Sequence, residues 1–372
     1  MSLFDPSVLN RLLVIATRQI GDVLLTTPLI RSLRLAYPNT QIDVLTYENT
    51  DGMLVGNPDI HHVLCVAEHP NTREYRQLLK QILRCYDLAI STLSGDRPLL
   101  YALLAAPKRI GPVPPWRVHD WWKRPILHAW TDQEDENTHT LHRHLRLADL
   151  LGIPRHYDPV PPRDYHGEKV LDPIMPFSWR ETPFVVLHVS PMWRYKHWRI
   201  DGWRALVHSL ERRGLRVVMT GGPSPAEQTY VRHILEGSGT HTVNLVGQLR
   251  IAEVAEVLRV ARLYVGPDTA MTHLAASLGI PTVALYGPSN PVLWGPWPRG
   301  FVSDSSPYQH RAPHQRVGNV LLIQPEKECV PCFQEGCDRH KGSTSTCLET
   351  LPIARVIDAT LEMLPSLGKM DT

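Results

Sequence analysis

Nowhere in the 372 residues does an apolar run approach the roughly 20 residues that a membrane-spanning helix needs. The opening MSLFDPSVLNRLLVIAT lacks a signal peptide's order of charged, apolar and small-residue regions, so the expected location is cytoplasmic. Net charge is scarce too: +2 with histidine neutral, too small to argue for nucleic acid as a partner. Cysteine is rare, with six in all, and so sparse a set in a chain this long is no disulfide scaffold. No GxGxxG follows the first strand, which argues against a dinucleotide cofactor. What remains has the composition of an ordinary soluble protein, and its length exceeds the usual single core. Two domains are expected.

Short apolar runs alternate with helical periods. Arg11–Ala16 (RLLVIA), Gln41–Thr46, His62–Val66 and Asp87–Ser91 read as strands, Glu74–Cys85 and Arg97–Ala105 as helices. Thr138–Leu151 is an amphipathic helix whose His139, His142 and His144 lack a carboxylate or cysteine partner in register. They are read as surface residues, not ligands. From Pro154 to Pro183 the chain is rich in proline and forms the best boundary. The alternation then restarts with strands at Phe184–Val189, Leu215–Thr220, Val243–Leu245, Tyr264–Val265 and Thr282–Leu285. The expected fold is α/β, with two doubly wound parallel sheets. Residues 1–165 form the first domain, 166–183 a linker and 184–350 the second domain.

The chemistry gathers where strands give way to helices. After the first strand come Gly21, which admits close approach of a donor to the backbone, and Asp22, either a helix cap or a general base. In the second half, Ser190 opens a loop with Arg194 and Lys196, cations suited to a pyrophosphate. The Gly221-Gly222 turn admits a ligand, and Glu227 is placed to accept from a ribose. Tyr264–Pro291 carries Asp268, Thr269, Ala270 and His273 at a helix start, then Gly287-Pro288-Ser289. A helix start offers unpaired N–H groups and partial positive charge to an anion. Capping alone would explain Asp268 or Thr269, but not the histidine or the Gly-Pro-Ser loop. Four such loops on one sheet edge point to a nucleotide site.

Two further features stand apart. Pro112–Trp130 holds four tryptophans among Arg117, His119, Lys123 and Arg124, which suits a membrane interface or an anionic amphipathic acceptor as well as a plain core. Cys329, Cys332, Cys337 and Cys347 contain one CxxC and are a candidate zinc or iron site.

In this order and spacing the residues resemble a known family. Ile20-Gly21-Asp22-Val23-Leu24 with Thr27-Pro28, Leu33-Arg34 and Tyr37-Pro38, then Lys108-Arg109-Ile110-Gly111 and Lys196-x-Trp198, lead to Asp268-Thr269, His273, Ala275-Ala276, Gly279-x-Pro281 and Tyr286-Gly287-Pro288. Together with the cysteine cluster around Pro331, they make the chain similar, from Arg11 to about Leu364, to the inverting glycosyltransferases of family 9, the ADP-heptose:lipopolysaccharide heptosyltransferases. That resemblance implies a GT-B fold, two Rossmann-like domains facing a cleft, with the acceptor on the first and the nucleotide sugar on the second. Residues 351–372 would form a helix returning to the first domain.

It also implies heptose transfer from ADP-heptose to the lipopolysaccharide inner core. Asp22 would be the general base, and no cofactor would be required for the chemistry. Arg18, Lys108, Arg109, Arg117, Lys123 and Arg124 are the cations expected to meet the anionic glycolipid at the cytoplasmic face of the inner membrane. Departures from the family pattern are Ala270 in place of glycine, Arg199 in place of proline, and a hydroxyl-poor Ser190-Pro191-Met192. Alternatives are another sugar nucleotide or a protein or glycan acceptor, an epimerase on a related scaffold, and an inactive sugar-nucleotide sensor.

Overall fold

The computed structural model describes residues 9–115, 117–132, 137–236 and 241–364. Trp116 and residues 365–372, which belong to the expected aromatic stretch and to the expected final segment, lie outside them. The chain divides into two units: Met1–Pro162 with Val302–Ser305, and Arg163–Phe301 with Ser306–Thr372.

In the first unit the strands are β1 (Arg11–Ile15), β2 (Gln41–Tyr47), β3 (His62–Val66), β4 (Leu88–Ser91), β5 (Lys108–Val113) and β6 (Ala129–Asp132). All pairs are parallel, in the order β3-β2-β1-β4-β5-β6. β1 runs almost wholly buried, as a strand covered on both faces must. The order reverses between β1 and β4, the switch point where such sheets leave a crevice at the strands' carboxyl ends.

The helix after β1, Ile20–Ala36, contains Pro28, which has no N–H for the carbonyl of Leu24. Thr27 Oγ1 donates to that carbonyl at 2.6 Å, which accounts for the Thr-Pro pair. Arg34 ends the helix by donating to the carbonyls of Pro38, Thr40 and Asp59. Those contacts fix the approach into β2 and account for the Leu33-Arg34 and Tyr37-Pro38 spacing.

The second unit contains β7 (Phe184–His188), β8 (Arg216–Thr220), β9 (Thr242–Asn244), β10 (Leu263–Pro267), β11 (Thr282–Leu285), β12 (His314–Val317) and β13 (Val320–Ile323). Their order is β12-β13-β11-β10-β7-β8-β9, parallel except for the β12–β13 hairpin, and the switch point lies between β7 and β10. The β12–β13 hairpin, β5 and β6 are strands beyond those expected.

Three expectations are corrected. The proline-rich residues 166–183 are not a free linker. Asp164 accepts from Arg250, its N–H donates to Glu256, and Leu171 and Trp179 are buried, so the stretch packs as part of the second unit. The final helix, Ile353–Met363, belongs to the second unit. Its Val356, Ala359 and Met363 share a core with Trp198, Trp203 and Leu206 of the second. Lastly, His139, His142 and His144 are buried rather than superficial, because the Thr140–Leu151 helix packs on Ile20–Ala36. His144 Nδ1 lies 3.0 Å from the Leu25 carbonyl, and His139 Nδ1 accepts the Leu141 N–H as the helix cap.

Candidate active site

Each sheet places polar groups at its own switch point. In the first unit, the N–H and hydroxyl of Thr92, just past β4, both donate to the Ile15 carbonyl at the end of β1. The intervening loop leads into Ile20–Ala36, where Gly21 and Asp22 occupy the first turn. Asp22 is buried, with Oδ2 3.8 Å from Nε of the exposed Arg18. No side chain caps this helix at Gln19. Asp22 is thus a carboxylate held in the favourable field of a helix start, beside a cation.

In the second unit, the segment after β7 turns through Arg194–Lys196 and ends at Trp198, whose ring is buried against Trp203 at 5.0 Å. Trp198 Nε1 donates to the Leu351 carbonyl, so the tryptophan of the Lys196-x-Trp198 pair anchors the turn that carries the lysine. Lys196 Nζ lies 2.6 Å from Asp268 Oδ2, and Ser289 Oγ donates to the same oxygen at 2.5 Å. One contact therefore joins the loops after β7 and β10 across the switch point. Burial pushes the Asp268 carboxyl up, but the Lys196 ammonium, the Ser289 hydroxyl and His273 bring it net below its ordinary value.

The helix Ala270–Leu278 starts there. Neither alternative of a simple cap holds: Thr269 is the N-cap residue and makes no side-chain capping bond. Ala270 is the first helical residue and is not among the positive-φ positions, so alanine fits without strain where the family pattern has glycine. His273 is buried, and its Nδ1 has no hydrogen-bond partner among the described residues. Burial lowers its pKa to about 4, against a smaller raising effect of Asp268, so the ring is neutral near pH 7. Ser190 is buried in the same segment as Lys196, and Arg194 is exposed.

After β8, Glu227 closes on its own turn. The Gly222 N–H donates to Oε2 at 2.7 Å, and Ser224 Oγ donates to Oε1 at 3.2 Å. A side chain at Gly222 would meet Oε1 at 2.8 Å, which explains the glycine. Glu227 thus builds the turn, and a carboxylate with two bonds made retains acceptor capacity.

The six expected acceptor cations separate. Lys123 is buried, with its ammonium 2.6 Å from Asp120 and 2.8 Å from Asp96, so it fixes the Val118–Ile126 segment and is withdrawn as an acceptor contact. Arg109 is half-buried and donates to the carbonyls of Ile126 and Ala106. Arg124 pairs with Asp132 at 3.4 Å, with its guanidinium 6.0 Å from the Trp130 ring centre. Arg18 and Arg117 are exposed and Lys108 is half-buried. Val118, Trp121 and Trp130 are exposed too, so part of the aromatic stretch faces outward.

Among the described residues, no three His, Cys, Asp or Glu side chains are arranged to hold a metal. The four late cysteines are nonetheless neighbours: burial first, and then the charges of Cys329, Cys332 and Cys337, push the Cys347 thiol up to about 12.

Two Rossmann-like parallel sheets, each with charged groups at its switch point, define a protein of the GT-B type. The sequence profile of glycosyltransferase family 9 (heptosyltransferase) matches residues 75–321, and the chain belongs to that family. It is 29% identical to lipopolysaccharide heptosyltransferase 3 of Escherichia coli (strain K12), over 93% of this chain and 95% of that protein. The fold is similar to a family 9 glycosyl transferase from Veillonella parvula, with a TM-score of 0.75 and 19% identity over 95% of this chain and 97% of the other. It is likewise similar to the E. coli ADP-heptose LPS heptosyltransferase II, with a TM-score of 0.73 and 19% identity over 95% and 98%. Ser289 escaped the sequence-based choice of site residues, though the Gly-Pro-Ser sequence closing β11 was its signal.

Proposed function

We propose that this protein transfers a heptose from ADP-heptose to the lipopolysaccharide core, with inversion at the anomeric carbon. The observation that carries the donor half is the Lys196–Asp268 contact across the β7/β10 switch point. Beside it are an uncapped helix start and the unpartnered Nδ1 of a neutral histidine. An anionic diphosphate suits the lysine's charge, the helix start and the histidine. The names of the E. coli relatives support both the sugar donor and the acceptor class.

In the proposed step the acceptor hydroxyl oxygen attacks the anomeric carbon while the bond from that carbon to the β-phosphate oxygen breaks. Asp22 takes the hydroxyl proton, and ADP leaves with the electron pair. Lys196, Arg194 and the start of Ala270–Leu278 stabilise the charge that develops on ADP. Ser190, Gly222, Glu227, Thr269 and Ala270 complete the donor site, and Arg18, Lys108 and Arg117 face the anionic acceptor. Exposed Val118, Trp121 and Trp130 are assigned to the membrane surface on which that acceptor lies. Among the described residues no helix is long and apolar enough to cross a membrane.

The test is thermal stabilisation across a panel of nucleotide sugars, since a ligand that binds only the folded chain raises its Tm. ADP-heptose is expected to give the largest rise, and release of ADP is expected once a lipopolysaccharide-core acceptor is added. A larger rise with a different nucleotide sugar rejects the donor, and binding without turnover on any acceptor favours a sensor. Lys196→Ala is expected to weaken ADP binding roughly 10- to 100-fold, the value of a charge-assisted hydrogen bond. Calorimetry with ADP reads this directly, and undiminished affinity rejects the site.

A further inference from the structure

The segment from Cys329 to Leu348 touches both loops that meet at Asp268. On one side, the Phe333 N–H donates to the Pro288 carbonyl at 2.9 Å, between Gly287 and Ser289. Leu348 and Cys347 fill the space above Gly287: a Cβ there would lie 2.7 Å from Leu348 Cγ and 3.2 Å from Cys347 Sγ. On the other side, a Cβ on Gly336 would lie 2.9 Å from Tyr195 Cβ, and Lys341 Nζ sits 4.3 Å from the centre of the Trp193 ring. Trp193 and Tyr195 belong to the turn that carries Lys196.

The segment is itself built to hold its shape. Val330, Cys347 and Leu348 form a small buried cluster. The Cys337 N–H donates to the Thr344 carbonyl at 2.9 Å, and Arg311 Nε donates to the Val330 carbonyl at 2.6 Å. Phe333 has φ 59°, a left-handed backbone that an aromatic residue adopts only when its surroundings require it. Its N–H is the one directed at Pro288.

We propose that residues 329–348 are a positioning clamp for the donor site, holding the Trp193–Lys196 turn and the Gly287–Ser289 loop so that Lys196 and Ser289 converge on one oxygen of Asp268. The proposal rests on the reading of that cluster as the donor site. It gives the cysteine-bearing segment a role in the reaction that does not depend on a bound metal. Gly287 is then a positioning residue, required because only a missing Cβ lets the clamp close. Displacements of about 1 Å at such a distance cost on the order of 100-fold in activity.

The experiment uses the full chain with ADP as the probe, read by calorimetry, with Tm followed in parallel. Gly287→Ala is expected to weaken ADP binding at least tenfold. Adding Leu348→Ala, which removes the nearest atoms the new Cβ would strike, is expected to restore affinity to within threefold of Leu348→Ala alone. Met363→Ala, in the same unit's core but away from the clamp, is expected to lower Tm and leave ADP affinity unchanged. If Gly287→Ala does not fold, Leu348→Ala alone is expected to weaken ADP binding at least threefold. Parental affinity in Gly287→Ala, no recovery in the double variant, or parental affinity in Leu348→Ala in the unfolded case overturns the clamp. Lys196→Ala separates the two readings. If it binds ADP like the parent, the donor site itself is wrong and the clamp falls with it. If it loses binding while Gly287→Ala does not, only the clamp is rejected.

Discussion

Asp22→Asn is expected to lower the rate of heptose transfer by about 100- to 10,000-fold, the contribution typical of a positioned general base. The carboxylate sits in the first turn of a 17-residue helix without a side-chain cap, buried, with Arg18 3.8 Å away. The helix start and the arginine set its surroundings, and the reading as a base rests on that placement. Asparagine keeps the size and one acceptor oxygen, so the helix start and the surrounding packing should persist. ADP affinity is therefore expected to stay within about twofold, because the phosphate ligands proposed above all lie on the second unit. Turnover is read from ADP release and binding from calorimetry. A variant with near-parental turnover would move the proton transfer to another group. Loss of ADP binding in step with turnover would mean that Asp22 holds the donor instead.

The outline of both sheets was legible because parallel strands covered on two faces must be continuous apolar runs, as RLLVI and FVVLH are. The loops that carry chemistry followed from that outline, since ligands of such sheets meet the strands' carboxyl ends. The order of the strands, and hence the two switch points, was not legible. It depends on pairings such as β7 with β10, made between residues 78 positions apart, Val185 with Leu263.

Partners of charged side chains were hidden for the same reason. Lys123 reads as one more cation in a basic, tryptophan-rich stretch, and only the fold brings Asp96 to its ammonium. The helix Thr140–Leu151 has a visible periodicity, yet which of its faces meets Ile20–Ala36 decides that three histidines are buried. The final helix misled in another way. The family resemblance implied its return to the first domain, whereas its apolar face completes the core under Trp198.

Four histidines withdrawn from water set the second large effect: the protein is expected to lose stability steeply as pH falls from about 6.5 toward 4. His144, His188, His197 and His273 each have pKa lowered to about 4, in every case first by burial. Their hydrogen bonds fit neutral rings: His144 Nδ1 to the Leu25 carbonyl, His197 Nε2 to the Pro191 carbonyl and His188 Nδ1 to Thr220 Oγ1. In the unfolded chain a histidine takes up its proton near pH 6.5. Between about 6.5 and 4 the unfolded state thus binds more protons than the folded one, and stability must fall as pH falls. Above pH 6.5 both states are neutral and the effect vanishes; below 4 both are charged and it reaches its limit. Each histidine contributes up to about 1.4 kcal/mol per pH unit inside that window, and four together rival the roughly 5–15 kcal/mol that holds a typical domain folded. Asp268 acts in the same sense at the acid end: with its folded pKa below the ordinary value, the stability from its Lys196 contact is lost only as pH falls further. The measurement is Tm by calorimetry at half-unit steps from pH 7.5 to 4. A flat Tm across that range would show that these rings take up protons in the folded state. His188→Gln, which keeps a polar partner for Thr220, is expected to flatten the slope by up to one proton's worth, and an unchanged slope would remove His188 from the set.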